Sequence, residues 1–270
     1  MIDRFKLEDE SSLLNWYPKI KDRLLTPETE ILKIDREDQN KLYGALDGND
    51  IPNDLINKIQ NSADKIGYPL FLRSDQGSGK HNWKDTCYVP DRDSLIGHII
   101  NLIEWHTCAG ILGLQWEALV FREFLQLESI FTAFWGSMPV SRERRVFVRD
   151  GKVECMHPYW PIAAIREDRA NPLPENWKEQ LEELNHSSFT ELHLLEQMAM
   201  IFSSTIPGYW SVDFACDVNG SWFLIDAARG EISWHDEDCP HCPEDQKQKP
   251  KPLKENSLLV DLLESGTGVD

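Results

Sequence analysis

Apolar positions along this chain recur at two spacings, and each change of spacing marks an element. Leu55, Ile56, Ile59, Ala63 and Ile66 fall on one helical face, with Asp54 as the expected cap and Gly67 as the terminator. Residues 1 to 65 as a whole read as a mainly helical N-terminal region without a recognisable motif. A strand is expected from Pro69 to Arg73, then a glycine-containing loop from Ser74 to Lys80 and a second strand near Thr86 to Val89. An Ile- and Leu-rich helix should follow from Ser94 to His106. The run Ala118-Leu119-Val120-Phe121-Arg122-Glu123-Phe124-Leu125 is strand-like, closes in charge, and reads as a linker between two lobes. Two helices are expected between Pro174 and Ser204. Ser188 and Glu191 have capping-box spacing at the start of the second, and Pro207-Gly208 ends it.

Two places carry an Asx-Gly pair between apolar runs, the strongest short-range signal for a two-residue hairpin loop. Around Asp150-Gly151, that register sets Val146, Val148, Val153 and Cys155 on one face, and Glu143, Arg145 and Phe147 on the other. Around Asn219-Gly220, Val218 should pair with Ser221. Phe214 then faces Ile225, Cys216 faces Phe223, Val212 faces Ala227, and Asp213 stands directly opposite Asp226. Two bare carboxylates about 5 Å apart repel by roughly 3 kcal/mol at an effective dielectric near 20. A divalent cation reverses that sign, and Mg²⁺ is commonly held by one or two carboxylates plus substrate phosphates. The competing reading is a solvated edge hairpin with two water-facing acids.

Composition narrows the class. The 270 residues suffice for one large or two modest domains, and 41% hydrophobic residues with ten tryptophans argue against general disorder. A net charge of −18 argues against nucleic acid or an anionic membrane as the principal partner. The first ten residues lack the apolar core of a signal peptide. No run approaches the roughly 18 apolar residues of a membrane span, so a cytoplasmic protein is expected. Six scattered cysteines do not form a disulfide framework. The Lys/Pro/Gln-rich stretch from Glu244 to Lys254 reads as a loop or tail.

Among the remaining motifs, the Ser74 to Lys80 loop has Arg73 and Lys80 at its ends. It can cradle phosphate, or it is a charged surface turn; its glycine spacing is not that of a P-loop. Arg145 beside Glu143 can clamp phosphate and metal or ribose, or be a structural ion pair. Cys239-Pro240-His241-Cys242, with His235 nearby, invites a structural zinc reading, but one CxxC without a second half-site is a weak signal for a closed tetrahedral site, and a redox role is weaker still. Tyr159-Trp160-Pro161 and the ten tryptophans can stack an adenine or a substrate, with core packing as the default.

Taken in order, these pieces resemble the ATP-grasp superfamily, and more narrowly its R-to-K clade, which includes a eukaryotic assembly chaperone for a translation initiation factor. The resemblance rests on Phe71-Leu72-Arg73-Ser74-Asp75 with Ser78-Gly79-Lys80, on Glu143-Arg144-Arg145-Val146-Phe147-Val148, and on Val212-Asp213-Phe214 with Leu224-Ile225-Asp226. It implies an α+β fold of two lobes with the nucleotide between them, an ATP-grasp domain over residues 66–270 with lobes at about 66–120 and 121–270. It implies ATP and Mg²⁺ as cofactors. Arg73 and Lys80 would meet the phosphates, Glu123, Phe124 and Leu125 the adenine, and Arg145 with Lys80 the phosphoryl group in transfer. Glu143 would complete the nucleotide site, and Asp213 and Asp226 would hold the metal. The resemblance points to an ATP-dependent carboxylate–amine ligase working through an acylphosphate on an unknown acid, amine, peptide or protein. An ATP-binding assembly factor and an ATP-dependent kinase are the alternatives. One departure stands out: the family's Asp-x-Asn at the last strand is here Asp226-Ala227-Ala228. Glu231 could replace the missing ligand only if the chain turns back.

Overall fold

The computed structural model describes residues 3–110, 115–134, 137–165, 172–236 and 238–243. The Glu244 to Lys254 stretch therefore lies outside the described residues. The chain divides into two compact units, one ending at Ser233 and the other beginning at Trp234.

The first unit is built on two four-stranded antiparallel sheets. One has the order β1 (Thr29–Lys33), β4 (Ala118–Glu123), β2 (Leu70–Ser74), β3 (Tyr88–Val89). The other has the order β10 (Trp222–Arg229), β9 (Tyr209–Cys216), β7 (Glu143–Arg149), β8 (Lys152–Pro158). A short hairpin, β5 (Ser129–Ala133) with β6 (Met138–Ser141), follows β4. The helices are α1 (Arg4–Glu10), α2 (Leu13–Ile20), α3 (Arg36–Leu46), α4 (Asn53–Ala63), α5 (Leu95–Gly110), α6 (Trp177–Asn185) and α7 (Phe189–Thr205).

Each sheet packs one face on helices, and the central strands β4 and β9 are buried on both faces. Leu70, Leu72, Leu119 and Phe121 of the first sheet pack on Leu55, Ile59, Ile99 and Leu102 from α4 and α5. Val146, Val148, Val212, Phe214 and Leu224 of the second pack on Trp16 from α2 and on Leu195, Ala199 and Phe202 from α7. Burying a side chain of this size stabilises the fold by about 1.5–3 kcal/mol. A third cluster, with Phe131, Val140, Trp160 and Leu181, supports the β5–β6 hairpin.

Several local expectations change. The N-terminal segment contains a strand, β1, that pairs with β4. Residues 118–123 are a central strand bonded to both β1 and β2. Pro52, not Asp54, occupies the cap of α4, and Asp54 lies in its first turn, where a carboxylate favours the helix dipole. Ser188 Oγ does accept the Glu191 N–H at 3.1 Å, but the Glu191 carboxylate turns to Arg142 and Arg144 instead of back to the cap.

The hairpins show the largest differences. At Asp150-Gly151 both residues have positive φ (47° and 83°), as the two-residue loop requires. Pairing then slips by one: Val148 faces Val153, but Phe147 faces Cys155. Glu154 is the extra residue, so Cys155 leaves the core face and Met156 takes its place against the cluster. At Asn219-Gly220 only Gly220 has positive φ, 83°. The Gly220 N–H donates to Asp217 O (3.0 Å) and the Asp217 N–H to Ser221 O (2.9 Å), closing a three-residue loop. Hence Phe214 faces Leu224 and Cys216 faces Trp222, not Ile225 and Phe223. A bulge at Ile225 then restores the expected pairing, so Asp226 stands opposite Asp213 and Ala227 opposite Val212.

In the second unit the described residues form a tight turn. The Cys242 N–H donates to Cys239 O (3.0 Å), and the His241 N–H to Cys239 Sγ (3.4 Å). Among the described residues no disulfide joins any two cysteines. No described helix is long and apolar enough to cross a membrane.

Candidate functional site

Cross-strand pairing sets a row of charge across the second sheet. Arg145 on β7 is opposite Asp213 on β9, which is opposite Asp226 on β10. The carboxylate–carboxylate repulsion foreseen from the sequence is offset by guanidinium groups. Arg145 holds Asp213 through two 2.8 Å bonds, Nε to Oδ1 and Nη2 to Oδ2. Arg73, at the end of β2, reaches from the other sheet to put Nη1 3.1 Å from Asp226 Oδ1. Burial opposes the Arg145 charge, but Asp213 beside it holds its pKa above the ordinary arginine value. The row is thus neutralised as plus, minus, minus, plus.

Arg73, Lys80, Glu123, Phe124, Leu125, Glu143, Asp213 and Asp226 all line one cavity of about 310 Å³. Arg145 borders it through Asp213 and through the ring of Tyr159. One end of the cavity is charged. The other is apolar, where Phe71, Trp83 and Phe124 form an aromatic wall: Trp83 lies 5.7 Å from Phe71 and 6.1 Å from Phe124, centroid to centroid. A planar base suits that wall, and phosphates suit the cations opposite.

The loop between Arg73 and Lys80 is shaped from behind. Ser74 Oγ accepts the N–H groups of Gln76 (3.0 Å) and Gly77 (2.9 Å). Gly77 and Gly79 lie flat on Trp105 of α5: a Cβ on Gly77 would come within 2.8 Å of that ring, and Gly79 has φ of 60°. Asp75, the loop's own carboxylate, is buried and turned away from the cavity. It accepts the N–H groups of Glu117 (2.8 Å) and Ala118 (3.1 Å) and the Ser12 hydroxyl (2.7 Å).

Lys80 closes over the charged end. Its Nζ donates to Tyr159 Oη at 2.9 Å and lies 3.9 Å from Glu143 Oε2. Burial works against the ammonium, yet Tyr159 and Glu143 hold its pKa above the ordinary lysine value. Burial pushes the Glu143 carboxyl up, against the pull of Lys80 and of the Trp160 indole N–H bound to Oε1 at 3.1 Å. Oε2 accepts no hydrogen bond among the described residues. An orphaned, buried oxygen beside two opposed aspartates is a hard-oxygen donor set, which fits Mg²⁺. Ala228 offers no side-chain oxygen. Glu231 does not stand in for one, since Arg229 holds it at 2.9 and 3.2 Å and it lines no part of the cavity.

Sequence reasoning missed Trp83 and Arg122 and took core packing as the default for Tyr159. Arg122 is buried, lines the cavity, donates from Nη1 to Ile225 O (2.6 Å) and from Nε to Thr29 Oγ1 (3.2 Å), and leaves Nη2 without a hydrogen-bond partner among the described residues. Burial, then Arg73 nearby, push its pKa down to about 10. The bulge that turns Asp226 toward Asp213 therefore has its carbonyl held from the opposite sheet. The available signal was a lone cation inside the apolar run 118–125, a place where burial demands partners.

No curated protein matches the chain by sequence. Among solved structures, C-terminally truncated Cdc123 from Schizosaccharomyces pombe aligns with a TM-score of 0.54 at 12% identity, covering 83% of this chain and 85% of that one. Cdc123 from the same organism aligns at 0.50 and 14% identity with the same coverage. N5-carboxyaminoimidazole synthase from Aspergillus clavatus, solved with ADP and 5-aminoimidazole ribonucleotide, gives 0.47 at 13%, covering 85% of this chain and 47% of that one. At these identities the likeness concerns the fold. The sequence model of the ATP-grasp domain, R-to-K clade family 3, matches residues 62–243, more than half of the chain, and the chain belongs to that family.

Proposed function

We propose that this protein binds Mg-ATP in the cavity and uses it for ATP-dependent ligation of a carboxylate to an amine, with a peptide or protein as the acceptor class. The observation that carries the reading is the opposed pair Asp213 and Asp226, flanked by Arg145 and Arg73, at the charged end of a cavity whose other end is aromatic. Asp213 and Asp226 would hold Mg²⁺, which would supply charge neutralisation to the phosphates. The protein's own part is positioning. Trp83, Phe124 and the backbone of residues 123–125 hold the base, Arg73 and Lys80 hold the phosphate chain, and Arg145 faces the γ-phosphoryl group. A substrate carboxylate oxygen attacks the γ-phosphorus and ADP leaves, giving an acylphosphate. An amine then attacks its carbonyl carbon, inorganic phosphate leaves, and the amine proton passes to solvent.

A second reading, nucleotide binding in the service of a protein partner without ligation, is favoured by Ala228. Ala228 has no side-chain oxygen where the family has asparagine, and Glu231 is held by Arg229. ADP and phosphate release, followed with pooled carboxylic acids and amines, separates the two. Turnover that depends on both an acid and an amine supports ligation. Tight Mg-ATP binding with no turnover across the panel overturns ligation in favour of the assembly-factor reading, and no nucleotide binding at all overturns both.

A further inference from the structure

Tyr159 follows directly on β8, and its N–H donates to Glu143 O at 3.1 Å, which fixes it to the strand that carries Glu143 and Arg145. The ring lines the cavity between two cations: Lys80 Nζ lies 4.0 Å and Arg145 Cζ 4.9 Å from its centroid. Trp160 meets it edge-on at 4.8 Å, so the ring has little freedom to turn. An ammonium has donors only, so in the 2.9 Å contact with Lys80 the Tyr159 oxygen is the acceptor. The phenolic proton is therefore committed to neither Lys80 nor Arg145. Accepting a bond from a cation also polarises the O–H and makes it a stronger donor. A neutral, preset donor thus stands between the two cations assigned to the phosphates, where a third phosphate oxygen needs a partner.

Resting on the nucleotide reading above, we propose that the Tyr159 hydroxyl donates a hydrogen bond to the terminal phosphate of a nucleoside triphosphate, and that this contact makes the site tell a triphosphate from a diphosphate. It deepens that reading by naming a specificity-determining residue outside the family motifs. Phenylalanine at this position keeps the ring against Lys80, Arg145 and Trp160 and removes only the hydroxyl.

The test is calorimetric titration of the full chain, as wild type and as Tyr159→Phe, with Mg-ATP and with Mg-ADP, alongside melting curves. Wild type should bind ATP more tightly than ADP. In Tyr159→Phe, ATP affinity should fall about 10-fold, the worth of one hydrogen bond to a charged group, with ADP affinity held within about 2-fold. Retained ADP binding also reports that the variant is folded. Equal loss for both nucleotides would mean that the hydroxyl serves only to hold Lys80, and overturns the proposal. So does an unchanged ATP affinity. A wild type that binds neither nucleotide overturns the nucleotide reading itself, a result distinct from the other two.

Discussion

The two hairpins of the second sheet start from the same turn signal and reach the cleft by different routes. The β7–β8 hairpin closes in the expected two-residue loop and then slips by one at Glu154. In the β9–β10 hairpin the loop is one residue longer, and the bulge at Ile225 takes the slip back. In the first case the slip exchanges Cys155 for Met156 on the core face. In the second two deviations cancel, and Asp213 meets Asp226 after all. Turn chemistry governs register only near the turn; what the far end of a hairpin presents depends on bulges and on whatever holds them.

The comparison can be broken most severely at the acids. Asp213→Asn or Asp226→Asn should lower Mg-ATP affinity at least about 100-fold, because metal ligands exceed the roughly 10- to 100-fold typical of their supports; the melting temperature should change little for the half-exposed Asp226 and fall for Asp213, whose charge balances the buried Arg145. Normal ATP binding by either variant, measured by calorimetry, would sink the hairpin argument. Next comes the bulge. Leu224, fully buried, should cost about 2–3 kcal/mol as alanine, whereas Ile225→Ala should cost about 1 kcal/mol or less, since its side chain lines the cavity. A larger loss for Ile225→Ala than for Leu224→Ala in urea titrations would restore the unbulged register. Arg122→Met should destabilise by about 2 kcal/mol and weaken Mg-ATP binding, because it strips Ile225 O of its donor. Wild-type affinity in a folded Arg122→Met would show that the bulge holds without it. The smallest effect separates the turns. Asp150→Ala, at φ of 47° and with Oδ1 accepting the Gly208 N–H at 2.8 Å, should cost about 1–2 kcal/mol, and Asn219→Ala within about 0.5 kcal/mol.

What could be read from the sequence was what local rules govern. Arg73, Lys80, Glu143, Arg145, Asp213 and Asp226 stand out as charges at strand ends or on the polar face of an alternating strand, and the structure brings them to one cavity. β1 escaped notice because Thr29–Lys33 is half-buried to exposed along its whole length, with no alternation to mark a face. Asp54 failed as a cap because Pro52, with its preset φ, already ends the turn there. The Ile225 bulge was beyond reach for another reason. Its carbonyl is held by Arg122, 103 residues away in sequence, and no window along the chain contains both. Tyr159 was set aside as core because an aromatic pair looks the same in sequence whether its hydroxyl meets a hydrophobe or an ammonium.

The neutralised row has a thermodynamic corollary. Arg145 and Arg73 are engaged by Asp213 and Asp226, so on the Mg-ATP reading proposed above each would divide its donors between a carboxylate and a phosphate or exchange one for the other. A cation held by the carboxylates would loosen both guanidinium groups, and a polyphosphate that drew the guanidinium groups away would leave two carboxylates in need of a cation. Either event lowers the cost of the other, and linkage makes the benefit equal in both directions, commonly about 1–3 kcal/mol. On the proposed Mg-ATP reading, Arg145 and Arg73 would thereby couple metal to nucleotide, so that the two together would bind better than either alone.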